Sequence, residues 1–179
     1  LADFGEGDYL ILQNEINMVG EIIRLSHEKG CRVVFNASPI PKNPEELPLE
    51  LVDIFMVNEL EAAALAGTSA EGDFRDILKA LQKKYPKAAI VMTLGKDGVL
   101  YGYKEEFYSH PIFKVNAVDT TAAGDTFCGY FLAALCAGKS VEMALREASA
   151  ASAMAVSAKG AAPSIPVHSA MEEWLRGRS

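Results

Sequence analysis

The stretch that decides the fold is DTTAAGDTFCGYFLAAL, residues 119–135. After Phe127 the chain is almost entirely apolar, which predicts a buried helix over about 122–137. Ala122, Ala123 and Gly124 leave the backbone bare where this helix should begin. The first N–H groups of a helix have no intrahelical partner and carry partial positive charge, so this helix start is predicted to bind an anion.

Asp125 follows these three small residues directly. A carboxylate in that place could take the proton of a hydroxyl group that attacks a bound phosphate, while the amides stabilise the charge on the transferring oxygens. The alternative is structural, because an acid is favourable at any helix start and alanine is a good helix former. The four residues A-A-G-D alone do not separate the two interpretations.

The segments on the N-terminal side alternate between short apolar runs and amphipathic stretches. Strands are predicted at 9–12, 32–36, 53–58 and 88–94, a pair of edge strands around 104–106, and helices at 19–26, 59–67, 74–84, 122–137, 140–157 and 168–177. Four prolines keep residues 37–48 out of regular structure. The alternation predicts an α/β fold with a doubly wound, mainly parallel sheet, right-handed crossovers and helices on both faces. Core positions are predicted for Met18, Met56, Met92 and Met154.

The composition limits the classes of function. Of 179 residues, 50% are hydrophobic and 23% charged, as in a folded globular chain, and the net charge of −7 argues against nucleic-acid binding. No apolar run approaches the roughly 20 residues of a membrane-spanning helix. The cysteines lack metal-ligand spacing and are predicted to be buried thiols of a cytoplasmic protein: Cys31, Cys128 and Cys136. Because the chain starts at Leu1 without methionine, we expect it to be a piece of a longer protein.

Polar residues follow several of the predicted strands. In parallel sheets, ligands bind beyond the carboxyl ends of the strands. The residues at these ends are Glu15, Asn36, Asn58, Glu61 and the turn TLGKDG, residues 93–98. We expect them to gather at one edge of the sheet.

Six segments together resemble the ribokinase, or PfkB-type, family of carbohydrate kinases. They are QNEI (13–16), VFNASP (34–39), VNELEAAAL (57–65), TLGKDGV (93–99), KVNAVDTTAAGDTF (114–127) and SAKGAAPSIP (157–166). They occur in the order and at the spacing of the family, and the last is most similar to the ribokinases themselves. The resemblance covers the whole chain as the C-terminal half to three-fifths of such a kinase. Residues 1–179 are therefore expected to be the C-terminal part of a single ribokinase-like α/β domain, its nucleotide-binding and catalytic portion.

The resemblance implies transfer of the γ-phosphate of ATP to a primary hydroxyl of a small sugar, with D-ribose to D-ribose 5-phosphate as the specific expectation. It assigns Asp125 as the catalytic base in contact with the sugar, Ala122–Gly124 as the anion hole and Glu15 as a sugar ligand. Most sugar contacts, and a lid that often forms a homodimer, belong to the N-terminal half of the family. The implied partners are the sugar and ATP, without nucleic acid or membrane.

The resemblance also assigns the nucleotide and metal sites. Nucleotide contacts are implied at Asn58, Thr93, Gly95, Lys96, Gly98 and Ser149. At Ser149 the family commonly presents a larger polar side chain to the adenine, so this contact departs from the pattern. Asn58 and Glu61 match a motif that helps to place Mg²⁺ through water. A K⁺ site is implied at Asp119, Thr121, Ala158, Gly160 and Ser164, where a plain helix end followed by a turn is the structural alternative.

Other functions stay open at this point. Within the family, a fructokinase, a ketodeoxygluconate kinase or a nucleoside kinase would carry the same motifs. A non-catalytic nucleotide-binding fragment would also keep the phosphate-binding residues. A nicotinamide dehydrogenase fits the alternation of strands and helices, but no G-x-G-x-x-G follows a strand.

Overall fold

In the computed structural model, residues 3–178 are described, and they follow the predicted alternation of strands and helices. The elements are β1 Tyr9–Gln13, α1 Val19–Glu28, β2 Arg32–Asn36, β3 Ile54–Asn58, α2 Glu59–Ala66, α3 Phe74–Lys84, β4 Ala89–Thr93, β5 Val99–Tyr103, β6 Glu106–His110, α4 Ala123–Cys136, α5 Val141–Val156 and α6 His168–Arg176. The segment 37–48, predicted to lack regular structure, contains one short 3₁₀ helix at Pro44–Glu46.

The strands form one six-stranded sheet in the order β1-β2-β3-β4-β5-β6. The first four pair in parallel, with Phe35 of β2 opposite Phe55 of β3 and Phe55 opposite Ile90 of β4. Only two residues link β5 to β6. A connection this short requires antiparallel neighbours. The predicted mainly parallel sheet with a pair of strands at its edge is confirmed.

The core of the sheet follows from the apolar character of its strands. Phe35, Phe55 and Ile90 are fully buried on one face, together with Ile23 of α1 and Leu78 of α3. Because each strand lies beside its predecessor, right-handed crossovers place α1, α2 and α3 on this one face. The alternate positions of the same strands are buried as well: Val34, Ile54, Met56 and Val91.

The chain divides into two compact units. The first comprises the residues up to Leu94 together with Leu100–Phe107, and the second comprises Gly95–Val99 and the chain from Tyr108 onward. In the second unit, α5 and α6 share a small core of Ala150, Ala151, Met171 and Leu175, against which Trp174 packs. The α6 residues of this core, Met171 and Leu175, form the buried face of that helix.

Two sequence predictions about burial are wrong. Met18 is 63% exposed, because it stands in a left-handed conformation at the N-cap of α1 and its side chain does not enter the core. Cys136 is exposed at the end of α4, whereas Cys31 and Cys128 are buried as predicted. Burial, with a smaller effect of the Asp125 charge, raises the pKa of Cys128 to about 11. Between residues 3 and 178, no helix combines the length and apolarity needed to cross a bilayer.

Candidate active site

The three small residues Ala122–Gly124 lie at the start of α4, which runs from Ala123 with Ala122 as its N-cap. The Thr126 N–H donates to the Ala122 carbonyl at 2.9 Å and begins the helical ladder. The Ala123 N–H donates to the Thr120 carbonyl at 3.2 Å, so one of the three predicted anion-hole amides is engaged within the loop. Ala122 is buried, while Gly124 and Asp125 are exposed in the first turn.

Gly124 leaves room above this first turn. A Cβ atom added at this position would meet no atom within 4 Å. The backbone there is therefore open to a ligand, as a phosphate site at a helix N-terminus requires. Asp125 is the next residue, and it lines an open groove of about 540 Å³ along α4. Asp125 is exposed, so its carboxylate is accessible from solvent.

The N-terminus of α4 is held by a residue that the sequence analysis missed. The Ser152 hydroxyl of α5 donates to the Ala123 carbonyl at 3.1 Å. This bond fixes the first turn of α4 against α5, and the two helices form the most extensive packing of the second unit. Nothing in the sequence marks Ser152, because its partner lies 29 residues away.

The predicted K⁺ site lies in two loops that Asp119 ties together. One Asp119 carboxylate oxygen accepts the Thr121 hydroxyl at 2.6 Å and the Thr121 N–H at 3.0 Å. The other accepts the Gly160 N–H at 3.1 Å. These bonds, the Thr121 hydroxyl first, hold the pKa of Asp119 below its ordinary value. The carboxylate therefore stays ionised and keeps the two loops together, an arrangement that fits a cation site lined by backbone carbonyls.

The remaining two predicted K⁺ ligands lie in the second of these loops. The Ala158 N–H donates to the Ala155 carbonyl at 3.1 Å, as at an ordinary helix end. Ser164 is buried, and its hydroxyl donates to the Ala161 carbonyl at 2.7 Å. The contacts of Ala158 and Ser164 are therefore also those expected of a plain helix end followed by a turn.

In the first unit, Asn58 and Glu61 form a capping box at the start of α2. The Asn58 side-chain oxygen accepts the Glu61 N–H at 2.8 Å, and Glu61 Oε2 accepts the Asn58 N–H at 2.9 Å. Glu61 is only 7% exposed. The box orients the carboxylate, and among the described residues no hydrogen bond engages its other oxygen. Such an oxygen fits a magnesium-bound water, since Mg²⁺ keeps several waters and needs few direct carboxylates.

Thr93 lies beside this capping box. Its position at the end of β4 is in register with Asn58 at the end of β3. The Thr93 hydroxyl points to the Val57 carbonyl at 3.4 Å. The structure thus brings together three of the predicted site residues of the first unit at the carboxyl edge of the sheet.

The turn after β4 is built around glycines, as its sequence indicates. Gly95 and Gly98 both have positive φ, and Gly95–Asp97 form a single 3₁₀ turn. A Cβ atom at Gly98 would collide with the His110 carbonyl oxygen. Lys96, predicted to contact the nucleotide, is exposed in this turn.

Two further predicted ligands belong to other segments of the chain. Glu15 is exposed in the turn after β1, where the Asn14 amide donates to the Pro39 carbonyl at 3.1 Å. Ser149 is half-buried on α5, three residues before Ser152. Within residues 3–178, no group of three or more His, Cys, Asp or Glu side chains is arranged to hold a metal ion directly.

The comparisons with known proteins point to one family. A model described as "pfkB family carbohydrate kinase" matches residues 6–168. The chain is 36% identical over 178 residues to a ribokinase of Haemophilus influenzae. Its structure is similar to the crystal structure of a Thermotoga maritima ribokinase, with a TM-score of 0.82 and 34% identity over 94% of this chain. An Arabidopsis thaliana ribokinase complexed with ribose and ATP gives a TM-score of 0.83 and 31% identity, also over 94%.

These proteins are longer than this chain. The match covers 97% of this chain but 58% of the Haemophilus relative. It covers 57% of the Thermotoga structure and 55% of the Arabidopsis structure. The family model matches residues 6–168, a range that runs from before β1 to the start of α6. The chain therefore belongs to the pfkB family of carbohydrate kinases.

Proposed function

We propose that the complete protein transfers the γ-phosphate of ATP to the primary hydroxyl of a small sugar, with D-ribose as the acceptor. The observation that carries the proposal is the exposed pair Gly124–Asp125 at the start of α4, where nothing within 4 Å would oppose a Cβ atom at Gly124. An open backbone at a helix start next to a carboxylate provides both a phosphate site and a proton acceptor.

In this proposal, Asp125 orients the sugar hydroxyl and accepts its proton as the bond from the hydroxyl oxygen to the γ-phosphorus forms and the bond from that phosphorus to ADP breaks. The N–H groups at the start of α4 stabilise the negative charge on the transferring phosphoryl oxygens. Ser152 holds this turn in place through the Ala123 carbonyl. Thr93, Gly95, Lys96, Gly98 and Ser149 are proposed to contact ATP, and Glu15 the sugar.

Two metal ions belong to the proposal. Mg²⁺ would neutralise charge on the ATP phosphates, and Asn58 and Glu61 would hold it through water. K⁺ would lie beside the anion hole, held by the loops that Asp119 joins, with Thr121, Ala158, Gly160 and Ser164 around it. The hydrogen bonds that the Thr121 hydroxyl and the Gly160 N–H donate to the Asp119 carboxylate support this placement.

The choice of ribose rests on similarity. The Haemophilus and Thermotoga proteins are named ribokinases, and the Arabidopsis ribokinase was crystallised with ribose and ATP. The alternative is another kinase of the family that acts on fructose, ketodeoxygluconate or a nucleoside, or a nucleotide-binding fragment without activity. We further propose that residues 1–179 are part of a single domain of a cytoplasmic homodimer.

The test is a coupled ADP-release assay on the complete protein with ribose, fructose, ketodeoxygluconate and nucleosides as acceptors. We expect the highest kcat/KM with D-ribose, and activity that requires Mg²⁺ and rises when K⁺ replaces Na⁺. A higher kcat/KM with another acceptor would replace ribose by that acceptor. Absence of ADP release with every acceptor would contradict the kinase proposal itself.

A further inference from the structure

Ser152 on α5 has a hydroxyl group that bonds to the neighbouring helix rather than to its own. A serine inside a helix commonly donates to the carbonyl four residues earlier. Ser26 in α1 and Ser157 at the end of α5 both do so, at 2.7 and 2.8 Å. Ser152 instead donates to the Ala123 carbonyl of α4, at 3.1 Å. The bond therefore belongs to the contact between α4 and α5, and α5 itself does not require it.

The composition of α5 makes this serine unusual. Ser152 is half-buried, and it stands among buried alanines of the same helix: Ala148, Ala150, Ala151, Ala153 and Ala155. Alanine is the best helix former, so helix propensity favours alanine at position 152 as well. What the serine adds there is the bond from its hydroxyl to the Ala123 carbonyl.

The acceptor of this bond belongs to the peptide group that begins α4. The Ala123 carbonyl and the Gly124 N–H are the two ends of one planar peptide group. Within residues 3–178, no acceptor bonds to the Gly124 N–H. The peptide group thus has a protein partner on its carbonyl side and an available donor on its N–H side.

The segment before α4 is also tied to α5 at its other end. The Val156 carbonyl, near the end of α5, accepts the Val118 N–H at 2.7 Å and the Asp119 N–H at 3.2 Å. Ser152 and Val156 are about one helical turn apart. Because α5 holds residues 118–123 at both ends, the Ala123–Gly124 peptide group has little freedom to rotate.

The Ser152 bond also changes the charge distribution of this peptide group. A donor at a carbonyl oxygen draws electron density toward that oxygen and leaves the N–H of the same group more positive. Hydrogen bonds in a chain strengthen one another in this way by about 10–30% per bond. The Gly124 N–H therefore becomes a stronger donor, and this matters most where negative charge develops in a transition state.

We propose that Ser152 is a positioning residue for phosphoryl transfer. Its hydroxyl orients and polarises the Ala123–Gly124 peptide group, and the Gly124 N–H then stabilises the γ-phosphoryl oxygens during transfer. The inference rests on the proposed kinase function. It adds to that function a residue that acts through the backbone and does not contact the substrate.

The test measures kcat, KM and melting temperature of Ser152→Ala and Ser152→Cys in the complete protein. Alanine removes the hydroxyl, and cysteine replaces it with a weak donor of similar size. We expect kcat to fall about tenfold in both variants, because weakening a transition-state donor costs less than removing it. The KM values for ATP and the sugar should change little. The matched control is Ser26→Ala, which removes a buried hydroxyl bond in α1 and should retain the wild-type kcat.

The outcomes separate this inference from the proposed function. Wild-type kcat in either Ser152 variant would overturn the inference, and so would an equal fall of kcat in Ser26→Ala. A raised KM at unchanged kcat would show an effect on ground-state binding and would overturn it as well. A wild-type protein that releases no ADP with any acceptor is a different result, because it contradicts the kinase function itself.

A second measurement does not depend on activity. In protein labelled at glycine, the amide nitrogen resonance of Gly124 is identified by its absence in Gly124→Ala. This nitrogen responds to a donor at the preceding carbonyl, so we expect its resonance to move in Ser152→Ala and Ser152→Cys and to stay in place in Ser26→Ala. An unchanged resonance in Ser152→Ala would overturn the polarisation of the peptide group, whether or not the protein is a kinase.

Discussion

At the scale of single residues, Gly98 and Gly124 have opposite explanations. Gly98 has a φ of 97°, and a Cβ atom there would strike the His110 carbonyl oxygen, so the fold requires the glycine. Gly124 has no such constraint, since its φ is not positive and its surroundings are empty. The first glycine serves the structure. The second leaves space for a ligand.

Replacement of Gly124 by alanine separates these explanations. Alanine is the better helix former, so Gly124→Ala should raise the free energy of unfolding by about 0.5–1 kcal/mol. Its methyl group would displace a bound phosphoryl group, and kcat should fall on the order of 10²-fold. Both are measured in the complete protein, by thermal melting and by ADP release. Gly177→Ala, at the C-cap of α6 with a φ of −73°, is the matched control. Normal turnover of Gly124→Ala would contradict the proposed phosphate site at the start of α4.

Asp119 gives a prediction about pH. Its pKa is held below the ordinary value of 3.8 by the Thr121 hydroxyl, the Thr121 N–H and the Gly160 N–H. When the pKa of a carboxyl group is lower in the folded state than in the unfolded state, the ionised group stabilises the folded state. This stabilisation is fully present above the pKa of the unfolded state and is lost as the pH falls through the pKa of the folded state. The wild-type protein should therefore have a higher melting temperature than Asp119→Asn at neutral pH. This difference in melting temperature should shrink below pH 3.8. A difference in melting temperature that does not change with pH would contradict this role.

At the scale of elements, the capping box at the start of α2 connects stability to the proposed metal site. Glu61→Ala removes one hydrogen bond of the box and should cost about 1 kcal/mol. Glu61→Gln keeps an acceptor for the Asn58 N–H and should retain the wild-type melting temperature. Because it lacks the charge, it should still require more Mg²⁺ for half-maximal turnover. A Mg²⁺ titration of Glu61→Gln that matches the wild type would limit Glu61 to capping.

The elements show which features a sequence can reveal. The helix α3 was predictable because Phe74, Ile77, Leu78 and Leu81 follow the helical period, and the last three are buried in the structure. The strand β2 was predictable from its short run of apolar residues. Both patterns are local. The position of Met18 was predicted wrongly, because hydrophobicity alone does not reveal a left-handed residue at a helix start.

The same limit applies to the candidate site. The open backbone at the start of α4 was predictable from the small side chains there. The pairing of Asn58 with Glu61 was predictable because an asparagine followed three residues later by a glutamate is the spacing of a capping box. The hydrogen bonding of Ser152 and Thr126 was not predictable, since it depends on atoms distant in sequence. The Ser152 hydroxyl reaches Ala123 across 29 residues, and the Thr126 hydroxyl has no partner within the described chain. The spacing of hydrophobic residues in the sequence indicates which side of an element is buried. It does not indicate which buried hydroxyl group has a hydrogen-bond acceptor.

At the scale of the whole molecule, the proposed phosphate site and the choice of sugar are two separate questions. The chain contains the predicted anion hole, Asp125 and the capping box, but spans little more than half of the relatives it matches. Family membership rests on residues 6–168. The choice of sugar therefore has to be measured on the complete protein.

The most direct test of the account is Asp125→Asn in the complete protein, with turnover and ATP affinity measured on the same preparation. Asparagine keeps the size of the side chain but cannot accept the proton. We predict that kcat falls on the order of 10²-fold or more, as when a general base is lost, while the Kd for ATP changes little. Turnover close to that of the wild type would show that Asp125 only occupies the first turn of α4, and would contradict its role as the catalytic base.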